Sequence, residues 1–554
     1  MYQTNTDIAR ILSLPKWPHE AEDSLVSKWS TALQRHGNPP QLRPIQAMVC
    51  ERVFQLLEAA PTQPYGLFCP IGVGHGKTLI SMLLGRLYKA KKPLLIVPPD
   101  MLALAKADML HWSSHYIFPR PHIIAYSKLS SPKASDLLER LAPDLIILDE
   151  AHCLRRKNAA RTKRMTRYMT KHPQTRVVAL SGTLTTRSIL DYAHIMEWAI
   201  RGLSVLPLTW HLLELWAAVL DVHGIPDEAS LNAVLPLLRE YGTVTGQGTL
   251  QEKIQRSYYK RLRSCPGVVS TVKSSCDATL VLRLHKPPVS ETIHNALEHL
   301  EKEWVLPDGT EIVDGLTYHR NAMHLSAGFF YEWVWPNGIP DVEYLEARKQ
   351  WHQTLRHELR YSSREHYDSP ALIEKAINEF RCKSDVASSY EVWRQVKERK
   401  MPPTRAVWLT EDVPLWALMW RERMKKQDTI LWYKSRAMGN ALYHGDSVPV
   451  YGAGTNPPKK GKPALSIAVH HKGKNLFHWS EQCILEPPTN GAIWEQLLGR
   501  THRQGQQADT VYCDVLLHTK FYKRALKNAK ADAKYIENTT GQRQKLNYCR
   551  EVYI

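Results

Sequence analysis

A glycine-rich segment that ends in lysine and threonine is the part of the sequence whose chemistry is easiest to derive. It follows an apolar run at residues 65–69, and this order predicts a strand, a tight loop and a helix. Small residues let backbone N–H groups converge on a polyphosphate, while Lys77 reaches the β- and γ-phosphates and the Thr78 hydroxyl can hold Mg²⁺. A glycine turn between packed elements is the alternative for the string alone. The residues assigned to this phosphate-binding loop are Gly72, Gly74, His75, Gly76, Lys77 and Thr78.

Two adjacent carboxylates end a second apolar run, at residues 145–148. Burying such a pair is costly unless a cation meets it, and Mg²⁺ on a bound phosphate would supply that charge. We therefore expect Asp149 to hold the metal, and Glu150 to orient the attacking water and accept its proton. A helix N-cap after the strand is the alternative.

Arginines near the other end of the chain could complete such a site. Arg500 and Arg503 are three residues apart, which puts both on one face of a helix, and Gln496 lies a turn earlier on nearly the same side. Phosphoryl transfer spreads negative charge over the γ-phosphate oxygens, so arginine donors aimed there lower the barrier. Hydrolysis would then require two domains to close on each other. Solvated surface charge is the alternative.

Two sheet domains are needed to position these residues. Short β-branched runs alternate with helical patterns between residues 40 and 200 and again after residue 400, which predicts two parallel sheets with ligands at the carboxyl ends of their strands. The fold class is therefore α/β, with a mostly helical insertion between two parallel-sheet domains. The predicted strands are 65–69, 94–97, 122–126, 145–148 and 177–180 in the first sheet, and 429–433, 465–469, 482–486 and 510–515 in a second, smaller domain. The predicted segments are an N-terminal extension (1–38), a first sheet domain (39–200), the insertion (201–405), a second sheet domain (406–517) and a basic helical tail (518–554).

Composition narrows the class of partner. The 73 lysines and arginines outnumber the 54 aspartates and glutamates and leave a net charge of +19, which suits a phosphate-rich partner or a solvated basic surface. The nine cysteines are scattered without a CxxC pair, so we expect neither a zinc ribbon nor a disulfide framework, and a cytoplasmic location. Charged residues interrupt the most apolar long segment, residues 210–222, so no membrane span is expected.

Two basic tracts are candidates for contact with nucleic acid. Eight basic residues and no acidic one lie between residues 151 and 171, and we favour nucleic acid as the partner of this tract. Five lysines near the C-terminus are spaced 3, 4, 3 and 4 residues apart and would form one stripe on a helix, for which a solvated face is an equally good interpretation. The five are Lys520, Lys523, Lys527, Lys530 and Lys534.

The order and spacing of these motifs resemble those of superfamily-two helicases of the Snf-type (sucrose-non-fermenting) class, with a DEAH box at residues 149–152. Compact bacteriophage versions are the most similar. The resemblance covers residues 40–190 and 428–517, including the loop at 74–78 and a sixth motif at 499–506. It implies two RecA-like domains that bind ATP and Mg²⁺ between them.

Further site residues follow from the resemblance alone. Arg43 and Gln46 match the motif that recognises adenine in this family, so they are expected to bind ATP. Pro98, Pro99 and Asn475 match segments that in the family touch the nucleic-acid strand. The residues expected to couple the state of ATP to strand grip are His152, Ser181, Gly182 and Thr183.

The resemblance implies an ATP hydrolase that moves along nucleic acid as a helicase or translocase. DNA is expected more than RNA because the family acts on DNA, and the location would be the host cytoplasm for a bacteriophage protein. A non-catalytic ATP-gated clamp or scaffold on nucleic acid, and a motor that acts on RNA, are the alternatives.

Overall fold

Two units are built from discontinuous segments of the chain in the computed structural model. The first comprises Met1–Arg155, Met165–Pro288 and Ala417–Ile554, and the second comprises Arg156–Arg164 and Val289–Trp416. The structure describes residues 2–18, 23–35, 40–131, 134–185, 187–240, 248–271, 276–310, 312, 315–335, 338–361, 370–399, 402–424, 427–444 and 448–554.

The described residues form strands and helices in the following order. The strands are β1 (Leu67–Pro70), β2 (Pro93–Val97), β3 (His122–Ala125), β4 (Leu145–Asp149), β5 (Arg176–Ser181), β6 (Thr279–His285), β7 (Phe329–Trp333), β8 (Thr404–Trp408), β9 (Thr429–Tyr433), β10 (Val450–Tyr451), β11 (Ala464–Ser466), β12 (Glu481–Ile484), β13 (Thr510–Leu516) and β14 (Arg550–Tyr553). The helices are α1 (Tyr2–Ser13), α2 (Asp23–Leu33), α3 (Pro44–Ala59), α4 (Lys77–Leu87), α5 (Leu102–Ser113), α6 (Tyr126–Ser130), α7 (Leu137–Leu141), α8 (Ala160–Lys171), α9 (Ala193–Ile200), α10 (Trp210–Leu220), α11 (Glu228–Glu240), α12 (Leu250–Arg263), α13 (Glu291–Glu303), α14 (Gly315–Ser326), α15 (Val342–Tyr361), α16 (Pro370–Asn378), α17 (Ser384–Val396), α18 (Asp412–Arg423), α19 (Arg436–His444), α20 (Ile467–His470), α21 (Gly491–Thr501), α22 (Lys520–Thr540) and α23 (Lys545–Tyr548). None of these helices is long and apolar enough to cross a membrane.

The first sheet has the strand order β1-β5-β4-β2-β3, and every neighbouring pair is parallel. All five predicted strands are confirmed to within two residues at each end. Strands β1, β2 and β4 are buried along their whole length, as expected of a parallel sheet covered on both faces. Because the strands run in one direction, the loops that follow β1, β4 and β5 meet at one edge of the sheet.

The second sheet is also parallel throughout, in the order β10-β11-β9-β12-β13-β6-β14. The fold class predicted from the sequence is therefore confirmed. Of the four predicted strands, 429–433, 482–486 and 510–515 match β9, β12 and β13, and 465–469 shortens to β11 followed by α20.

The predicted boundaries of the second sheet are wrong. Strand β6 comes from the stretch assigned to the insertion (201–405), and β14 comes from the stretch assigned to the tail (518–554). With these two strands and β10, the second sheet has seven strands and is not the smaller one. Both strands lie far along the chain from their neighbours, so no local βαβ rhythm reveals them.

Helices cover both faces of the first sheet. One face packs against α9, α10 and α12, and Ile11 of α1 and Leu14 just after it belong to this same core. The other face packs against α2, α3 and α4. Asp7 and Arg10 hold α1 in place, because Asp7 Oδ2 accepts the N–H of Leu208 at 2.7 Å and Arg10 donates to three carbonyl oxygens in residues 202–206. The predicted N-terminal extension therefore contributes to the core.

The second unit is mostly helical, with α13, α14, α15, α16 and α17 accompanied by an antiparallel pair of strands, β7 and β8. Trp351, Ile373, Val386 and Tyr390 form one of its buried clusters. The mostly helical insertion predicted from the sequence is confirmed in this part of the chain.

Candidate active site

The predicted phosphate-binding loop joins β1 to α4 and depends on two glycines. Gly74 has φ +89° and Gly76 has φ +73°, in the left-handed region that side-chain-bearing residues rarely adopt. A Cβ on Gly76 would also lie 2.5 Å from Nε2 at the end of the Gln46 side chain, which would have to move. The loop therefore leaves its backbone open to close approach by a ligand.

Lys77 and Thr78 open α4 at the end of this loop. Lys77 Nζ donates to the carbonyl oxygens of Ile71 at 3.1 Å and Gly72 at 3.2 Å, and it lies 4.0 Å from Glu150 Oε1. The ammonium group thus points back into the loop, where phosphate oxygens could replace the two carbonyls as acceptors.

The residues expected to recognise adenine lie against this loop. Arg43 Nη1 donates to the carbonyl oxygen of Gly74, and Gln46 Nε2 donates to that of Gly76 at 3.1 Å. Gln46 Oε1 in turn accepts the backbone N–H of Arg43 at 2.8 Å, which fixes the start of α3. Residues predicted from two separate motifs are therefore in direct contact.

The two predicted catalytic carboxylates stand at the end of β4. Asp149 is 5% exposed, and its Oδ1 accepts the backbone N–H of Glu150 at 3.0 Å. Glu150 has φ +52°, a strained conformation for a residue with a Cβ, and such strain is often found at functional sites. Burial and the neighbouring Glu150 raise the pKa of Asp149 to about 7.

These residues fit a magnesium ion. A divalent cation would oppose the burial and repulsion that raise the pKa of Asp149, and the hydroxyl of Thr78 and carboxylate of Asp149 are ligands that Mg²⁺ accepts. In the described part of the chain, no group of three or more His, Cys, Asp or Glu side chains could hold a metal. A magnesium ion would therefore also depend on phosphate oxygens, as it does in many nucleotide sites.

Three of the predicted coupling residues surround Glu150. Its Oε2 lies 3.1 Å from His152 Nδ1 and accepts the Ser181 hydroxyl at 3.3 Å. The Thr183 hydroxyl lies 3.4 Å from the same nitrogen of His152. Gly182 packs on the phosphate-binding loop, because a Cβ there would lie 3.3 Å from the carbonyl oxygen of Ile71.

This environment keeps Glu150 ionised. Burial alone would raise its pKa, but Lys77, His152 and Lys472 together hold the pKa of Glu150 well below its ordinary value. An ionised carboxylate accepts hydrogen bonds, so Glu150 can orient a water molecule through one oxygen while His152 holds the other.

Helix α21 brings residues of the second sheet to the same place. Gln496 Nε2 donates to Thr183 Oγ1 at 3.5 Å. Arg500 is 8% exposed, and it donates to the carbonyl oxygens of Gln496 at 3.0 Å and Lys474 at 2.9 Å. A Cβ on Gly499 would lie only 3.0 Å from Val73 Cγ1, so the helix packs directly on the phosphate-binding loop.

One buried arginine, Arg500, and two half-buried ones, Arg43 and Arg503, make the site strongly cationic. Burial and the neighbouring charge of Arg503, partly opposed by Glu150 and Asp100, together lower the pKa of Arg500 to about 10. Burial also lowers the pKa of Arg503, with a further contribution from Arg43, whose own pKa burial lowers. An anionic ligand would favour the charged form of each guanidinium.

The segments matched to strand-contacting motifs also come together. Pro98 is buried at the end of β2, and Pro99 and Asn475 are exposed. A Cβ on Gly473 would lie 3.5 Å from Met101 Cγ, so the loop before Asn475 rests on the turn that begins at Pro99.

Neighbouring acids partly neutralise the two basic tracts. Arg167 of α8 lies 3.9 Å from Glu139 Oε1. In α22 the predicted lysine stripe is present, but Lys530 pairs with Glu551, and Lys534 pairs with Glu252 at 2.6 Å.

Sequence analysis missed two residues near the site. Thr271 Oγ1 accepts the N–H of Gly72 at 2.8 Å, and its own N–H donates to the carbonyl of Pro70 at 3.2 Å, so it fixes the start of the loop. The only sequence signal for Thr271 was the run of mostly β-branched residues at 268–271. Lys472 contributes to the low pKa of Glu150. Its position in the sequence did not indicate that it lies near Glu150.

No protein-family model matches this sequence, and a comparison with curated proteins finds no match. The candidate site is therefore interpreted from its own geometry.

Proposed function

We propose that this protein hydrolyses ATP between two RecA-like domains and uses the reaction to move along nucleic acid, DNA in preference to RNA, as a translocase or helicase. The observation that carries the proposal is the packing of α21 on the phosphate-binding loop. This packing brings Arg500 into the electrostatic environment of Glu150, so groups from both sheets meet at the phosphate-binding loop. Such an arrangement couples hydrolysis to relative motion of the sheets.

In this proposal each site residue has a distinct role. Lys77 and the loop amides would bind the β- and γ-phosphates, and Arg43 and Gln46 would meet the base. Glu150 would orient water and accept its proton. Arg500 and Arg503, with Gln496 beside them, would stabilise charge on the transferring phosphoryl group. Mg²⁺ held by Thr78 and Asp149 would neutralise phosphate charge.

The nucleic-acid partner is supported by charge and by the exposed segments at Pro99 and Asn475. The net charge of +19 suits a polyanion, and the basic face of α8 adds to it. Binding should then be independent of sequence and weaken as salt rises.

The decisive experiment measures ATP turnover without nucleic acid and with single-stranded DNA, duplex DNA and RNA. The proposal predicts stimulation by DNA that is abolished in Lys77→Ala. A protein that binds ATP but shows no Lys77-dependent turnover would be a clamp, and stimulation by RNA alone would identify an RNA motor. Lys89→Ala, in the turn that follows α4 and outside the loop, is the matched control.

A further inference from the structure

The C-terminal segment makes contacts that its lysine stripe does not explain. Residues 520–548, here called the C-terminal strap, comprise α22, the turn at 541–544 and α23. The inner face of α22 is almost fully buried, with Ala529 and Ile536 at 0% exposure. The strap contacts α12 beside the first sheet and α21 of the second sheet.

One end of α21 is held by Asp532 in the middle of the strap. Asp532 Oδ2 accepts the N–H of Gly491, the first residue of α21, at 3.1 Å. Its Oδ1 accepts Arg187 Nε at 2.8 Å, from the segment that follows Thr183. A Cβ on Gly491 would lie 2.6 Å from the carbonyl oxygen of Ala529, so this contact needs glycine.

The middle of α21 is held by Lys545 in α23. Glu495 accepts the ammonium group of Lys545 at 2.6 Å through Oε1 and its backbone N–H at 2.7 Å through Oε2. Both side chains are 5% exposed. A buried pair with this many hydrogen bonds fixes orientation, because any displacement exposes unpaired charge.

Between these two anchors the strap touches the first sheet. Gln542 is 1% exposed, and its Nε2 donates to the carbonyl oxygen of Ser181 at 3.2 Å. Gly541, with φ +70°, ends α22 and turns the chain toward this contact. Ser181 is the residue whose hydroxyl reaches Glu150, so Gln542 acts on the backbone that positions that hydroxyl.

We propose that the C-terminal strap positions α21 relative to Ser181, and that Gln542 is a positioning residue for the hydrolytic site. The strap ties the helix that carries Gln496 and Arg500 to the segment that surrounds Glu150. Movement of α21 relative to the segment that surrounds Glu150 must break or shift the contacts of Gln542 and Asp532. This inference rests on the proposed function, and it assigns the strap the role of positioning parts of the hydrolytic site.

The test uses the full chain with Gln542→Met, which keeps the length of the side chain and removes its donor. Asn321→Leu is the matched control, because Asn321 is 7% exposed and donates to the carbonyl oxygen of Thr317 at 3.0 Å, a hydrogen bond that involves neither the strap nor Ser181. We expect Gln542→Met to lower kcat about fivefold to tenfold while KM for ATP changes less than about twofold. The control should lose thermal stability to a similar degree and keep kcat.

Arg187→Met is a second variant for the case in which Gln542→Met does not fold. Its side chain is 42% exposed and Asp532 keeps its hydrogen bond from Gly491, so folding should tolerate the change, and Arg399→Met at 41% exposure is its control. It should also lower kcat without raising KM. Wild-type kcat in both Gln542→Met and Arg187→Met would overturn the proposal.

Hydrogen exchange separates failure of this inference from failure of the proposed function. In Gln542→Met, amides of residues 181–185 and 491–500 should exchange faster, whether or not ATP is hydrolysed. Unchanged exchange of these amides would refute the proposed role of the strap even if hydrolysis is confirmed. Absence of Lys77-dependent hydrolysis in the wild type, with faster exchange in the variant, would refute the proposed function and leave the strap as a mechanical link.

Discussion

Lys77 Nζ lies 4.0 Å from Glu150 Oε1, although the two residues follow different strands of the first sheet. The contact joins the group expected to bind phosphate to the group expected to activate water. A phosphate between them would take up the lysine charge and leave Glu150 free to accept a proton. Binding and chemistry should therefore be separable by substitution.

Glu150→Gln tests the role of the carboxylate. The amide keeps the shape of the side chain and cannot accept a proton, so kcat should fall about 10²–10⁴-fold while ATP affinity is retained. Single-turnover hydrolysis and equilibrium binding of an ATP analogue measure the two effects. Glu51→Gln, in α3 away from the loop, should leave both unchanged. Retained turnover in Glu150→Gln would assign the base elsewhere.

Gly76→Ala tests the geometry of the loop. The left-handed backbone costs about 1–2 kcal/mol for alanine, and the new Cβ would also meet Gln46, so ATP affinity should fall roughly tenfold or more. Gly309→Ala is the control, since Gly309 has φ +83° with nothing within 4 Å of its Cβ position. Equal ATP affinity in the two variants would argue against a close backbone approach at Gly76.

The Lys545–Glu495 pair should be costly to break from one side. Lys545→Met or Glu495→Met alone leaves a buried charge and should destabilise the protein by about 3–5 kcal/mol. The double substitution should cost less than either single one, because no unpaired charge remains. Urea unfolding of the three variants measures this, and additive losses would contradict it.

Asp221 should make stability depend on pH. Burial raises its pKa from 3.8 to about 6, despite hydrogen bonds from Ser188 and Ile189. Between pH 3.8 and 6 the folded state therefore keeps a proton that the unfolded state releases. The contribution of this proton to the free energy of unfolding is complete below pH 3.8 and is lost as pH rises through 6. The size of the pKa shift limits this contribution to the free energy of unfolding to about 3 kcal/mol.

Asp221→Asn removes this titration. Unfolding free energies at pH 4.5 and 7.5 should differ less in the variant than in the wild type. An equal difference in both proteins would show that Asp221 titrates normally in the folded state.

Local motifs in the sequence predict most of the site. The phosphate-binding loop, the carboxylates after β4 and the helix that carries Arg500 each rest on short-range spacing, and the structure brings them together. The prediction of one helical face for Arg500 and Arg503 is wrong, because α21 ends at Thr501 and Arg503 lies beyond it. Their chemical roles stay predictions. Contacts made by Thr271 and Gln542 could not be predicted, because each depends on a backbone group far away in the chain.

Strand prediction succeeded where strands alternate with helices and failed where they do not. Strand β6 follows a long helical stretch and β14 follows α23, and the strands that each pairs with in the sheet lie far away in the chain. The spacing of the lysines in α22 predicted the helix and its exposed face. It could not reveal that the opposite face packs against α12 and α21, since burial depends on tertiary partners.

The most direct test of a shared site is an experimental structure with Mg²⁺ and a non-hydrolysable ATP analogue. The account predicts that Lys77 Nζ and the Arg500 guanidinium both lie within hydrogen-bond distance of the γ-phosphate, with Arg500 released from the carbonyl of Lys474. An analogue bound to the loop while Arg500 keeps its contact with Lys474, and while Arg503 also stays away from the phosphates, would contradict it.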